Sequence, residues 1–372
     1  MNASSGTDAG GGTGRAAMDA GIGIGADTGT GTGTGTEGDV AVDTGTVPVA
    51  RPWRLPGWEA RTVAALDAQL ASAGLRRTGP AEVVKRWTLS VVLRCATSGG
   101  VVFHKRSHPS LAHEGRVLAA LGNRRDGPVP TVVALGEPYD GWCTREVNLR
   151  PGTELAQDAR GRALAVLCGL QRDWLGRTAE LAATGCWSRT PEALAGLVPT
   201  AARRDLFGAA SALPGALSAR ERTRFTEACA RLPELCAELA AAPPGVTLVH
   251  GDLHPGNWGV ERDTGRIVLL DWAEASVGHP FLDVAAALRS CPDAAARSRA
   301  LDRYFTHWSP LMSREECRTV WRLAEPVAAF NQLVTYARLL DEAEPRERTD
   351  WAPRLLWWAR RLPRAVDEAD RG

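Results

Sequence analysis

The chain has 372 residues, with 44 basic and 43 acidic side chains and a formal net charge of +1. That balance removes the electrostatic case for nucleic acid or an anionic membrane surface as a partner. No apolar run of about 18 residues occurs, and no basic segment followed by an apolar one opens the sequence, so neither a membrane span nor a secretory leader is expected. Lys85 and Lys105 are the only lysines; the other 42 basic residues are arginine. A lysine kept against that bias asks for a reason, because a compact ammonium and a planar guanidinium do different work. The eight cysteines are scattered without a C-x-x-C pair, which reads as reduced thiols in a cytoplasmic protein.

Residues 1–50 are rich in Gly and Thr, alternate the two from Thr28 to Thr36, and carry few large apolar side chains. Such a segment buries too little surface to offset its ordering entropy and is expected to be a disordered tail. Apolar spacing then predicts a helix from Trp58 to Ala73, with Gly74 as its C-cap. Period-two strands follow at Val83–Trp87, Val91–Cys95 and Val101–Lys105, the last two joined by a turn at Ser98-Gly99-Gly100. A helix over 111–121 precedes two strands, 130–135 and 142–147, around the turn Asp140-Gly141. From 161 to 242 the pattern is helical, with breaks near Pro191 and Pro214. Val246–Val249 is a short strand, and Trp258–Val260 and Ile267–Leu270 flank Asp263-Thr264-Gly265 as a hairpin; everything after Pro280 is helical. The expected class is α+β and bilobal: a small antiparallel-sheet lobe with one helix over 51–148, and a larger, mainly helical lobe over 149–372.

The chemistry concentrates in His250-Gly251-Asp252-Leu253-His254-Pro255-Gly256-Asn257, between a strand and the hairpin, and in Leu269-Leu270-Asp271-Trp272 at the hairpin's end. Phosphoryl transfer needs a carboxylate to orient the acceptor hydroxyl, oxygen ligands for Mg²⁺ against the nucleotide phosphates, and a cation on those phosphates. Asp252 and Asn257 stand five residues apart on one loop, and the hairpin brings Asp271 back towards Asn257. One carboxylate plus one amide oxygen suits Mg²⁺, which keeps much of its shell for water and substrate. Lys105 lies on the same strand face as Val101 and Phe103, and Glu114 opens the next helix. His104, where an apolar residue or the lysine itself is expected, leaves that register open by one.

The string H-G-D-x-H-P-G-N followed by L-L-D-W, with F-H-K and then H-E upstream, resembles the aminoglycoside phosphotransferase and choline kinase-like families, which share a protein-kinase-like fold. The resemblance implies Asp252 as catalytic base, Asn257 and Asp271 as metal ligands, Lys105 on the α/β-phosphates and Glu114 as its ion-pair partner. It also implies His250 and His254 as supports of the loop, and Asp283, in Gly278-His279-Pro280-Phe281-Leu282-Asp283, as its buttress. No G-x-G-x-x-G occurs in the sheet-rich lobe over 51–148; the resemblance implies that the turn Trp87-Thr88-Leu89-Ser90 takes its place, with its amides and the Ser90 hydroxyl over the phosphates. Residues 145–149 are the expected hinge.

The implied activity is transfer of the γ-phosphate of ATP, or of GTP, with Mg²⁺, to the hydroxyl of a small molecule, by a monomer or dimer. Glu274, Glu325, Asp341 and Glu342 are acidic candidates for a cationic acceptor, and Trp272, Trp321, Phe330 and Tyr336 are aromatic ones. Two rivals stand beside this reading. His250, Asp252 and His254, with His279, could form a metallohydrolase centre; alternatively the chain binds nucleotide without catalysis. A protein kinase is disfavoured, because no A-P-E element follows Asp271 and Gly278-His279-Pro280 arrives too early for an activation loop.

Overall fold

The computed structural model describes residues 51–122, 127–137, 140–155, 158–203, 215–289, 291–344 and 347–371. The expected tail over 1–50 and the break near Pro214 lie outside them.

Helix α1 (Trp58–Ser72) begins after Gly57, whose φ of +68° only glycine adopts freely, and is followed by strands β1 (Arg77–Arg86), β2 (Ser90–Thr97) and β3 (Gly100–Ser107). Helix α2 (Glu114–Ala120), β4 (Val132–Leu135) and β5 (Trp142–Arg145) complete a five-stranded antiparallel sheet in the order β1-β2-β3-β5-β4. The lobe therefore carries two α-helices, one at each of the two stretches where apolar spacing predicts a helix, and not the one allotted to it by the bilobal class. The two faces of the sheet divide the labour. On the outer face Leu66 and Leu70 of α1 pack on Cys95, Val102, Ala134 and Cys143, while Trp53 and Trp58 cover Val91 and Leu93. The inner face carries Lys105, aligned across the strands with Val92 on one side and Trp142 on the other, and Val92 is aligned in turn with Lys85. Residues directly opposite in antiparallel strands share a face, so both lysines of the chain stand in one row.

The larger lobe is helical: α3 (Asp158–Asp173), α4 (Thr178–Ala183), α5 (Pro191–Arg203), α6 (Ala219–Ala241), α7 (Leu282–Arg289), α8 (Ala294–Trp308), α9 (Arg314–Glu342) and α10 (Arg348–Ala369). Capping boxes open α6 at Ser218/Glu221 and α9 at Ser313/Glu316, each satisfying orphan backbone donors reciprocally. Two small sheets are set among these helices. One joins the expected hairpin, β9 (Trp258–Glu261) and β10 (Ile267–Leu269), to β6 (Leu149–Pro151). The other places β11 (Ser276–Gly278) between β8 (Thr247–Val249), antiparallel to it, and β7 (Trp187–Arg189), parallel to it. Strands β6, β7 and β11 were not expected. Each is three residues long, too short for periodicity to register, and exists through its partners. A core around Phe281, Tyr304, Phe305 and Trp308 anchors the segment after β11.

Candidate active site

The register of β3 settles which residue faces the cleft between the lobes. His104 turns outward beneath α1. It is fully buried beside the Cys143 thiol (Nδ1 to Sγ 3.6 Å), and burial, then the charge of Arg106, lowers its pKa to about 4. Lys105 therefore points inward. Its Nζ lies 2.7 Å from Glu114 Oε2 and 2.8 Å from Asp271 Oδ1. One ammonium is thus shared by two carboxylates. Burial alone would discharge Lys105, but Asp271 and Glu114 together raise its pKa above the ordinary value. Burial also opposes ionisation of Asp271, yet Lys105 outweighs it and holds that carboxyl below the usual range. Glu114, desolvated and repelled by Asp271, is pushed up to about 7.

Asp271 follows β10 with φ of +56°, the one described non-glycine residue in the left-handed region. That conformation costs free energy for a side chain with a Cβ; the ion pair to Lys105 offsets it and fixes where the carboxylate points. The backbone N–H of Leu270 donates to the Asn257 carbonyl (2.8 Å), so the hairpin presents Asp271 to the catalytic loop. In that loop Asn257 Nδ2 donates to the Asp252 carbonyl (2.9 Å) and to Asp252 Oδ2 (3.3 Å). Asn257 Oδ1 is buried without a partner among the described residues. A buried acceptor left unsatisfied is costly, and one that shares a cleft with an ionised Asp271 has the chemistry of a divalent-cation ligand.

Gly251 could not be replaced: at φ of +93° an added Cβ would lie 2.6 Å from the Glu274 backbone oxygen. Asp283, on the first turn of α7 and fully buried, accepts from the His250 N–H (2.9 Å), the Gly251 N–H (2.7 Å) and Gln171 Nε2 (2.8 Å). Burial pushes its carboxyl up to about 7 despite these donors. His250 lies under Trp272 (ring centroids 4.5 Å apart), with Nε2 on the Leu270 carbonyl and Nδ1 on the Asp252 N–H. Nδ1 of His254 accepts from the Gly256 N–H, and its Nε2 lies 3.5 Å from Asp252 Oδ2. His279 is likewise committed, to the Pro243 carbonyl and the Phe281 N–H. With both ring nitrogens of His250 and His279 engaged by backbone, the arrangement does not form a histidine metal centre.

Lys105, Asp252, Asn257 and Asp271 line one cleft of about 410 Å³ with Trp87, Ser90, Glu274 and Leu339. The turn before β2 reaches this cleft through Trp87 and Ser90, and several of its groups are bonded within the protein. The Thr88 amide donates to Glu347 Oε2 (3.1 Å), Trp87 stacks on Trp351 of α10, and the Ser90 hydroxyl accepts from Trp87 Nε1. Arg54 reaches the same connector through Glu344 (2.9 Å) and Glu347 (3.2 Å), so this turn is pinned to the helical lobe. Among the acidic candidates, Glu274 reaches the cleft. Glu342 is tied to Ser110 (2.6 Å) and Arg338 (3.1 Å), and Glu325 is held by Arg297 and Arg361. Trp272, Trp321, Phe330 and Tyr336 are buried in the core. Two residues that sequence reasoning passed over matter here. The field of Lys85 reaches Asp271, a role its rarity hinted at, and Arg189 of β7 acts on Glu274. Nothing in the sequence singles Arg189 out from 41 other arginines.

A family model described as "Phosphotransferase enzyme family" matches residues 54–316. Among solved structures, the chain is similar to a macrolide 2'-phosphotransferase type I (19% identity, TM-score 0.54), covering 79% of this chain and 96% of that one. It is also similar to a choline/ethanolamine kinase family protein from Mesorhizobium loti (15%, 0.52, covering 84% and 100%) and to a Plasmodium vivax ethanolamine kinase (10%, 0.55, covering 75% and 82%). At these identities the likeness is one of fold. A search of curated proteins finds no match.

Proposed function

Because the chain belongs to the phosphotransferase enzyme family, we propose that it moves the γ-phosphoryl group of ATP to a hydroxyl of a small molecule held in the cleft between its lobes. One observation carries this reading: Lys105, Glu114 and Asp271, from three separated segments, meet within 2.8 Å beside Asp252 and Asn257. That is the set which phosphoryl transfer requires.

Lys105, fixed by Glu114, binds the α/β-phosphates, and the field of Lys85 adds to the same side. Asn257 Oδ1 and Asp271 are the ligands for Mg²⁺, which when bound supplies positive charge to the phosphate oxygens. Asp252 accepts a hydrogen bond from the acceptor hydroxyl, aligns it with the phosphorus, and takes its proton as the new bond forms. His250, His254 and Asp283 keep the loop in register. Ser90 lines the roof of the cleft. The lobes divide near residue 148, and GTP is the alternative donor. No described helix is long and apolar enough to cross a membrane; we place the protein in the cytoplasm, in keeping with eight unpaired cysteines.

The test is thermal unfolding with and without excess Mg-ATP, in the wild type and in Asp271→Ala. At about 100 times the dissociation constant, binding adds about 2.7 kcal/mol to stability. A magnesium-dependent rise that disappears in Asp271→Ala is the expected result, followed by mass-spectrometric screening of hydroxyl acceptors, ethanolamine and choline included. A wild type indifferent to Mg-ATP sinks the proposal.

A further inference from the structure

Beside the cleft lies a second and larger cavity, a groove of about 970 Å³ lined by Trp187 and Arg189 of β7, Leu197 and Thr200 of α5, and Arg338 and Asp341 of α9. Its ionisable groups differ from those of the cleft. The guanidinium of Arg189 stands 4.9 Å from the Trp187 ring centroid and that of Arg338 stands 5.0 Å from it. Arg338 is paired with Glu342. Arg189 is 5% exposed, and its one hydrogen bond within the described residues is a long one from Nη2 to Thr335 Oγ1, 3.4 Å. No described carboxylate lies within 4.0 Å of it, and its Nε and Nη1, which lack protein acceptors, are not walled off from solvent. Removing a guanidinium from water without an ion-pair partner in contact is expensive. Burial, followed by the like charge of Arg338, brings its pKa down to about 10 against the opposing pull of the more distant Glu274, so it still carries its charge at neutral pH. Fixed, charged and with a fork of donors to spare, it has the geometry that recognises a planar or tetrahedral oxyanion.

Groove and cleft are neighbours by construction. Strand β7 is hydrogen-bonded along β11, which begins two residues after Glu274. Helix α9 lends Leu339 to the cleft, and Ala337, Arg338 and Asp341 to the groove. In the cleft the ammonium of Lys105 is already held between Glu114 and Asp271, and an acceptor meets the carboxylate of Asp252. In the groove the donors of Arg189 are not taken up by a carboxylate within 4.0 Å, so an acceptor that carries an oxyanion is oriented with that end in the groove.

We propose that the groove holds the oxyanion, a carboxylate or a phosphate, of an anionic acceptor whose hydroxyl lies at Asp252. This rests on the phosphotransferase reading of the cleft. The full-length chain is tested by ligand-observed NMR and calorimetry with four probes of one size class: glycerate, glycerol phosphate, neutral glycerol and cationic ethanolamine. Mg-ATP binding is measured on the same samples. Glycerate, glycerol phosphate or both should bind while glycerol and ethanolamine do not, and the comparison of the two anions identifies the oxyanion. Arg189→Gln should weaken anion binding at least tenfold without changing Mg-ATP binding. Thr200→Glu, at an exposed position of α5 on the groove wall, should weaken it severalfold and decides the matter if Arg189→Gln does not fold. Ethanolamine or glycerol binding as well as the anions, no anion binding, or anion affinity unchanged in the folded variants overturns the proposal. Anion binding that depends on Arg189, in a protein that ignores Mg-ATP, sinks the phosphotransferase reading and leaves the groove's preference for anions standing.

Discussion

The cleft and the groove share helix α9 but are built on opposite electrostatic plans. In the cleft the working groups are held by neighbours: Lys105 by the carboxylates of Glu114 and Asp271, and Asp252 by a hydrogen bond from the neutral amide of Asn257. In the groove Arg189 is buried with no carboxylate within ion-pair distance among the described residues. The difference teaches how to separate machinery from recognition. Groups that must act on a nucleotide are positioned by their own network before it arrives. A group that selects a ligand leaves its donors for that ligand.

The largest expected effect falls on the cleft alone. Asp252→Ala removes both proton acceptance and positioning, and transfer should fall by about three orders of magnitude or more. Nucleotide binding and anion binding in the groove should persist. Single-turnover kinetics with an identified acceptor check this, and near-normal turnover would dissolve the distinction between the two cavities.

A smaller effect tests whether charge is confined to the inner face of β3. His104, one residue from Lys105 but on the outer face, has its pKa lowered from 6.5 to about 4. Between those values the unfolded chain binds a proton that the folded one refuses. The stability is therefore present above about pH 6.5 and is lost as pH falls towards 4, by at most about 3 kcal/mol. Urea unfolding at pH 7 and pH 5 should show wild type losing more stability than His104→Gln. Glu114 and Asp283, pushed up to about 7, act in the opposite sense, but they are common to both proteins and drop out of the difference. Equal losses would mean that His104 is solvated.

The smallest effect is on the loop itself. Asp283→Asn keeps the shape but replaces one of the two carboxylate oxygens that serve three donors. Stability should drop by about 1–3 kcal/mol, the cost of a buried donor left unsatisfied. Turnover should fall while Arg189-dependent anion binding is unchanged. Denaturant unfolding and steady-state kinetics on the same preparation measure both.

Much of this was legible in the sequence because it is local. Asp252, Asn257 and Asp271 fall within one loop and one hairpin, so spacing alone brings them near one another. The helices show through their apolar period, and the inner-face lysine through its scarcity. Tertiary structure decided the rest. Whether Lys105 or His104 faces inward depended on α1 covering one side of the sheet. Lys105 meets Asp271 across 166 residues, and the Thr88 amide meets Glu347 across 259. Strand β7 exists only as a partner of β11, and β11 only between β7 and β8. Arg189 became distinct from the other arginines only when folding buried it without a carboxylate partner. Propensity and spacing act over a few residues, whereas desolvation and charge pairing depend on which distant segments the core brings together.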